Sequence, residues 1–184
     1  MIGIDEVGRG CLAGPLLVVA ARQKSPLPDG VKDSKLLTRT QREDLFEDLI
    51  KVCDFGEGWV LAVEIDKRGL SGAMRLGVAR ALRSILVSHH DKIIVDGPVN
   101  YLPKIFRNFQ CLIDADALVP LVSAASIYAK VRRDRYMIEL AKKHINYGFE
   151  NHVGYYTPQH RLALQRLGPL ARVHRQTFRP LRVT

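Results

Sequence analysis

Strand-like and helical hydrophobic periods alternate along the chain, a pattern that predicts an α/β fold. Ile2 to Val7 is a short apolar run that enters a glycine-rich loop, Gly8 to Gly14. Leu16 to Ala21 is unbroken apolar sequence and reads as a buried strand. Pro26, Pro28, Asp29 and Gly30 mark a turn. A helix follows, with Thr38 or Thr40 as its cap and Gln41 or Glu43 three residues on to close a capping box. Leu45, Phe46, Leu49, Ile50 and Cys53 share one face of it. Phe55 to Val63 reads as a strand. A second helix is expected from Ser71, with Met74, Val78, Ala81, Leu82 and Ile85 toward the core and Arg75, Arg80 and Arg83 elsewhere. Lys92 to Asp96 and Gln110 to Ile113 are short strands. Pro120 opens a long helix of small and apolar residues that turns basic at Lys130, Arg132, Arg133 and Arg135. Thr157-Pro158 caps a last short helix that stops at Gly168-Pro169. No linker, repeat or low-complexity segment divides the chain, so one domain is expected over 1–184, its basic tail from Arg172 to Thr184 lying on the substrate or on the surface.

Composition narrows the class of partner. Lys and Arg number 28 against 19 Asp and Glu, a net charge of +9. That surplus favours a polyanion, nucleic acid before an acidic membrane, although a solubility charge would look the same. The cysteines, Cys11, Cys53 and Cys111, form no C-x-x-C pair, which argues against a disulfide scaffold or a zinc site. No apolar stretch is long enough to span a bilayer, and the first residues lack a signal-peptide profile. A cytoplasmic protein is expected.

The chemistry resides in the acids. Asp5 and Glu6 are consecutive at the end of an apolar strand, an unfavourable pairing unless a positive group sits between them or strand alternation sends them to opposite faces. Asp96 also ends an apolar strand, beside Gly97, where it could equally cap its own turn. Asp114 and Asp116 follow a third strand and precede a helix, a place where acids also serve as caps. Taken together, they put oxygen ligands at three strand ends of a basic protein, which suits magnesium or manganese. Gly8-Arg9-Gly10-Cys11-Leu12-Ala13 loosely fits a dinucleotide fingerprint, but the two acids would repel a pyrophosphate and Pro15 leads into another strand.

The motifs resemble, in order, those of the type II ribonucleases H. Gly3-Ile4-Asp5-Glu6-Val7-Gly8-Arg9-Gly10 with Leu12-Ala13-Gly14-Pro15 resembles the family's opening signature. Asp33-Ser34-Lys35-Leu36-Leu37, Val95-Asp96-Gly97, and Asp116 through Pro120 into Ser123 to Val131 resemble its next blocks. Gly154-Tyr155 with Thr157 and His160 resembles its tyrosine loop, where Tyr156 replaces the usual glycine, and His174-Arg175 to Phe178 resembles its closing segment. The resemblance implies a ribonuclease H-like mixed sheet flanked by helices. It also implies an endonuclease that hydrolyses the RNA strand of RNA/DNA hybrids and incises duplex DNA at embedded ribonucleotides, leaving 5′-phosphate and 3′-hydroxyl ends. The implied catalytic and metal-binding residues are Asp5, Glu6, Asp96 and Asp116, holding two Mg²⁺ or Mn²⁺ ions, with Asp134 a secondary candidate better suited to a helix salt bridge. Gly8, Arg9, Gly10, Lys35 and Tyr155 are the implied substrate-binding residues, and Lys130, Arg132 and Arg133 are further candidates for phosphate. A monomer is expected. The alternative to an enzyme is a non-catalytic duplex-binding module of the same fold.

Overall fold

Alternation along β1 (Ile2–Val7) and β2 (Leu16–Gln23) divides their side chains between two cores. The computed structural model describes residues 1–31 and 37–181. After these two strands come α1 (Arg39–Val52), β3 (Cys53–Val60), α2 (Ala62–Ser84), β4 (Ile93–Asp96) and β5 (Phe109–Leu112). The chain then runs through α3 (Ala115–Leu118), α4 (Pro120–Lys143), α5 (Phe149–His152) and α6 (Pro158–Leu167). The five strands make one mixed sheet in the order β3-β2-β1-β4-β5. β1 is antiparallel to β2 and parallel to β4.

On one face Ile2, Ile4, Leu16, Val18 and Ala20 pack against Ile65, Met74, Val78 and Leu82 of α2. On the other, Leu17, Val19 and Ala21 pack against Leu121, Ala125 and Ala129 of α4. Helices on both faces explain why Leu16 to Ala21 is apolar without alternation. The small residues of α4 and Gly3 of β1 let the two elements nearly touch: a Cβ on Gly3 would lie 2.8 Å from the Leu121 main chain. A third cluster, Ala13, Met137, Tyr147, Phe149 and Ala163, joins the glycine loop to the far half of α4 and to α5 and α6.

Thr38 is the cap of α1: its Oγ1 accepts from the Gln41 amide at 3.3 Å and its own amide donates to Gln41 Oε1 at 2.8 Å. The strand boundaries differ from expectation in β3, which begins at Cys53 and ends at Val60, so Cys53 leaves the helical face assigned to it. The second helix starts at Ala62, well before Ser71. Gly69, at φ 68°, breaks α2, and the break hides the first segment's helical period in the sequence. That segment is secured by Glu64, whose carboxylate accepts from the Leu61 amide at 3.0 Å. The tail also departs from expectation: His174 and Arg175 are fully buried and return to the glycine loop. Lys35 lies outside the described residues, with Lys32, Asp33, Ser34, Leu36 and Arg182 to Thr184.

Candidate active site

Because β1 and β4 are parallel neighbours with Ile4 opposite Val95, Asp5 and Asp96 stand side by side at the same edge of the sheet. Asp96 Oδ1 accepts from the Ala115 amide at 2.7 Å and so fixes the start of α3, the helix that carries Asp116. The Ser123 hydroxyl, donating to the Asp116 carbonyl at 2.5 Å, holds that short helix on α4. Asp116 is 2% exposed and faces the same cleft as Asp5, Glu6 and Asp96, whereas Asp114 is exposed at the helix cap. The cleft is 280 Å³ and is also lined by Val7, Arg42, Ser126, Lys130 and Tyr155.

Burial raises the Asp5 carboxyl to about 8, against a lowering hydrogen bond from Ser126, and the neighbouring Glu6 and Asp96 carboxylates raise it further. Burial raises Glu6 as well, opposed by Arg9, whose Nη1 lies 3.3 Å from Glu6 Oε1. Carboxyl groups are therefore crowded, and costly to ionise, where the cleft opens. An all-oxygen donor set under this strain has the chemistry of a hard divalent-cation site. Among the described residues no three His, Cys, Asp or Glu side chains already close into a ligand cage. The acids fit such an ion as donors on the walls of a cleft.

The loop beside the acids is held from beneath. Gly8, at φ 82°, is buried, and a Cβ there would collide with the Arg133 guanidinium. Arg133 is fully buried and donates to the carbonyls of Pro15 at 2.9 Å, Val153 at 2.8 Å and Ala13 at 3.2 Å. It therefore cannot serve as the phosphate ligand expected of it. Arg175, also fully buried, donates to the carbonyls of Gly8, Arg9 and Gly14. Burial lowers its guanidinium to about 10, which leaves it charged at neutral pH. Neither bracing role was visible in the sequence.

Tyr155 stands at the rim, 44% exposed, and its carbonyl accepts from His160 Nδ1 at 2.9 Å. His160 in turn meets His174 at 3.0 Å and stacks on His152. Lys130 reaches the cleft but also pairs with Asp134 at 2.7 Å, so Asp134 forms the helix salt bridge and is not among the residues of the cleft. Arg132 is paired with Glu57 at 2.6 Å. Arg9 and Gly10 are exposed. Among the described residues no helix is long and apolar enough to cross a membrane.

Known proteins share both sequence and fold with this chain. The model of the family described as Ribonuclease HII matches residues 2–180. A ribonuclease HII of Parvibaculum lavamentivorans is 42% identical over 98% of this chain and 66% of its own length. One from Novosphingobium aromaticivorans is 39% identical over 98% of this chain and 95% of its own. The ribonuclease HII of Archaeoglobus fulgidus, solved in a complex with PCNA, superposes with a TM-score of 0.81 at 29% identity, covering 100% of this chain and 97% of that one. A ribonuclease HIII solved in complex with Mn²⁺ shares the fold at a TM-score of 0.70 and 21% identity, covering 98% of this chain and 67% of its own. The chain belongs to the ribonuclease HII family.

Proposed function

We propose that this ribonuclease H endonuclease cuts the RNA strand of RNA/DNA hybrids and incises duplex DNA on the 5′ side of an embedded ribonucleotide, using Asp5, Glu6, Asp96 and Asp116. One observation carries the assignment: acids from β1, β4 and α3 share a single cleft whose rim bears Tyr155. The mixed sheet and its flanking helices form one catalytic domain. The donors suit Mg²⁺ or Mn²⁺, the second of which is bound by the ribonuclease HIII neighbour. Two such ions, when bound, would lower the pKa of the attacking water and offset charge on the departing 3′ oxygen.

The protein's own residues account for the rest. Glu6 and Asp96 draw cations into the cleft, a bound cation would displace the proton that burial holds on Asp5, and Ser126 holds the Asp5 carboxyl. Gly8, Arg9 and Gly10 bring main chain close enough to read a 2′-hydroxyl, the group that separates RNA from DNA. Tyr155 offers a ring for the adjacent sugar or base. Lys130 and Arg42 supply positive charge for the phosphates, and Lys35 is assigned to the same task from its motif. The protein works as a monomer in the cytoplasm.

The test is cleavage of labelled duplex DNA containing one ribonucleotide, with magnesium, manganese or chelator. Cutting on the 5′ side of the ribonucleotide is expected with either metal, and its loss in chelator and in Asp5→Asn and Asp96→Asn. A folded protein that binds the duplex and leaves it intact under both metals would overturn the reading in favour of a binding module.

A further inference from the structure

We propose that Arg175 is a positioning residue that aims the ribose-reading amides of the Gly8-Arg9-Gly10 loop at the substrate. The proposal rests on the loop's reading role above and adds the device that sets its direction. Arg175 Nη2 donates to the Gly8 carbonyl at 2.6 Å and Nη1 to the Arg9 carbonyl at 2.9 Å. Its Nη2 and Nε also donate to the Gly14 carbonyl, at 3.0 and 3.2 Å, which pins the far end of the same loop. The guanidinium is 0% exposed, so it cannot touch a bound duplex.

Peptide geometry carries the consequence. In a trans peptide the carbonyl and the following N–H point to opposite sides, and the described chain has no cis bond. Holding the Gly8 carbonyl inward therefore turns the Arg9 N–H outward. Holding the Arg9 carbonyl inward does the same for the Gly10 N–H. Among the described residues neither amide donates to another backbone carbonyl. Both residues are exposed, and a Cβ built on Gly10 meets nothing within 4 Å, so this part of the loop is open to an approaching backbone. The planar fork of Arg reaches two successive carbonyls at once, a geometry that an ammonium does not reproduce. Arg133 also lies under Gly8 but holds Ala13, Pro15 and Val153, so the direction of the Gly8 and Arg9 carbonyls falls to Arg175.

The experiment measures binding of the full chain, made unable to cut by Asp96→Asn, to two duplexes: one with a single ribonucleotide and its all-DNA counterpart. The quantity read is the ratio of the two affinities. Adding Arg175→Lys is expected to lower the ratio about ten-fold, the scale of one or two misdirected hydrogen bonds. The affinity for all-DNA duplex should stay within about two-fold, and Arg80→Lys, at a guanidinium paired with Glu64 on α2, should leave the ratio unchanged. An unchanged ratio in folded Arg175→Lys, or an equal fall with Arg80→Lys, overturns the proposal. A parent with no preference removes the reading role of the loop itself, a failure distinct from that of Arg175. If Arg175→Lys does not fold, Arg175→Gln carries the same measurement, since its side-chain amide can donate to one of the two carbonyls but not hold both. An unchanged ratio in folded Arg175→Gln likewise refutes the proposal.

Discussion

Gly8 and Gly10 stand two residues apart in one loop, yet an added methyl group meets opposite surroundings at the two positions. At Gly8 it meets the buried Arg133 guanidinium, from a backbone at φ 82° that L side chains rarely adopt. Gly8→Ala should destabilise the fold by at least about 2 kcal/mol, from strain and overpacking combined. At Gly10 the same methyl enters open space on the side the substrate would approach. Gly10→Ala should melt within about 1 °C of wild type while kcat/KM on a ribonucleotide duplex falls at least about ten-fold. Thermal melts beside steady-state kinetics separate the two, and a Gly10→Ala enzyme of full activity would remove that face of the loop from the substrate. Asp5 gives a prediction in pH. Burial raises its carboxyl to about 8 in the folded chain, against about 4 when unfolded. The folded state thus holds a proton that the unfolded state releases, so stability present below about pH 4 is lost as pH rises toward 8. In chelator, Asp5→Asn should lose less stability than wild type between pH 5 and about 8, and manganese at the upper end should stabilise wild type more than the variant. Parallel pH slopes for the two proteins would show that Asp5 does not titrate in that window.

Helix α2 and strand β3 meet through glycine rather than through interlocking side chains. A Cβ on Gly58 would strike the Gly77 carbonyl, and one on Gly77 would lie 2.6 Å from Val18 Cγ2. Gly58→Ala should therefore cost about 2–3 kcal/mol, a fall in Tm of about 5–10 °C for a chain of this size. A fall under about 2 °C would mean that α2 can lift off the sheet without penalty. This close packing belongs to long-range structure, and it marks the limit of what single-sequence patterning can read. β1, β4 and α4 were legible because each is bounded by its own punctuation: Gly8, Gly97 and Pro120. The start of α2 was not, because Val60, Leu61 and Val63 continue a strand-like run past the true boundary and Gly69 interrupts the helical period. The acids of the cleft were legible for a related reason. A carboxylate at the end of an apolar strand is conspicuous locally, and the parallel pairing of β1 with β4 then brings Asp5 beside Asp96. Arg133 and Arg175 were not legible, since in a chain with 28 basic residues a guanidinium reads as solvated. Their burial depends on carbonyls at positions 13 and 15, and 8, 9 and 14, respectively.

At the scale of the whole molecule, the 28 basic residues overstate the number of basic groups that can meet a duplex. Arg133 and Arg175 are buried on carbonyls, Arg132 is paired with Glu57, Arg135 with Glu43 and Glu47, and Arg80 with Glu64. The charge that counts is what faces the cleft, where Lys130 and Arg42 lie. A phosphate contact releases condensed counterions, so each one contributes about 0.9 to the slope of log affinity against log salt. Lys130→Ala should therefore weaken binding of an all-DNA duplex uniformly across sequences and reduce that slope by about 1. Arg132→Ala, which breaks a pair with Glu57 on the sheet and helix α4, should leave the slope unchanged even if it lowers Tm. Anisotropy titrations from about 50 to 300 mM salt provide the comparison. A slope reduced by Arg132→Ala and not by Lys130→Ala would move the path of the nucleic acid away from the acids, across the outer face of α4, and would separate the binding surface from the cleft where the carboxylates sit.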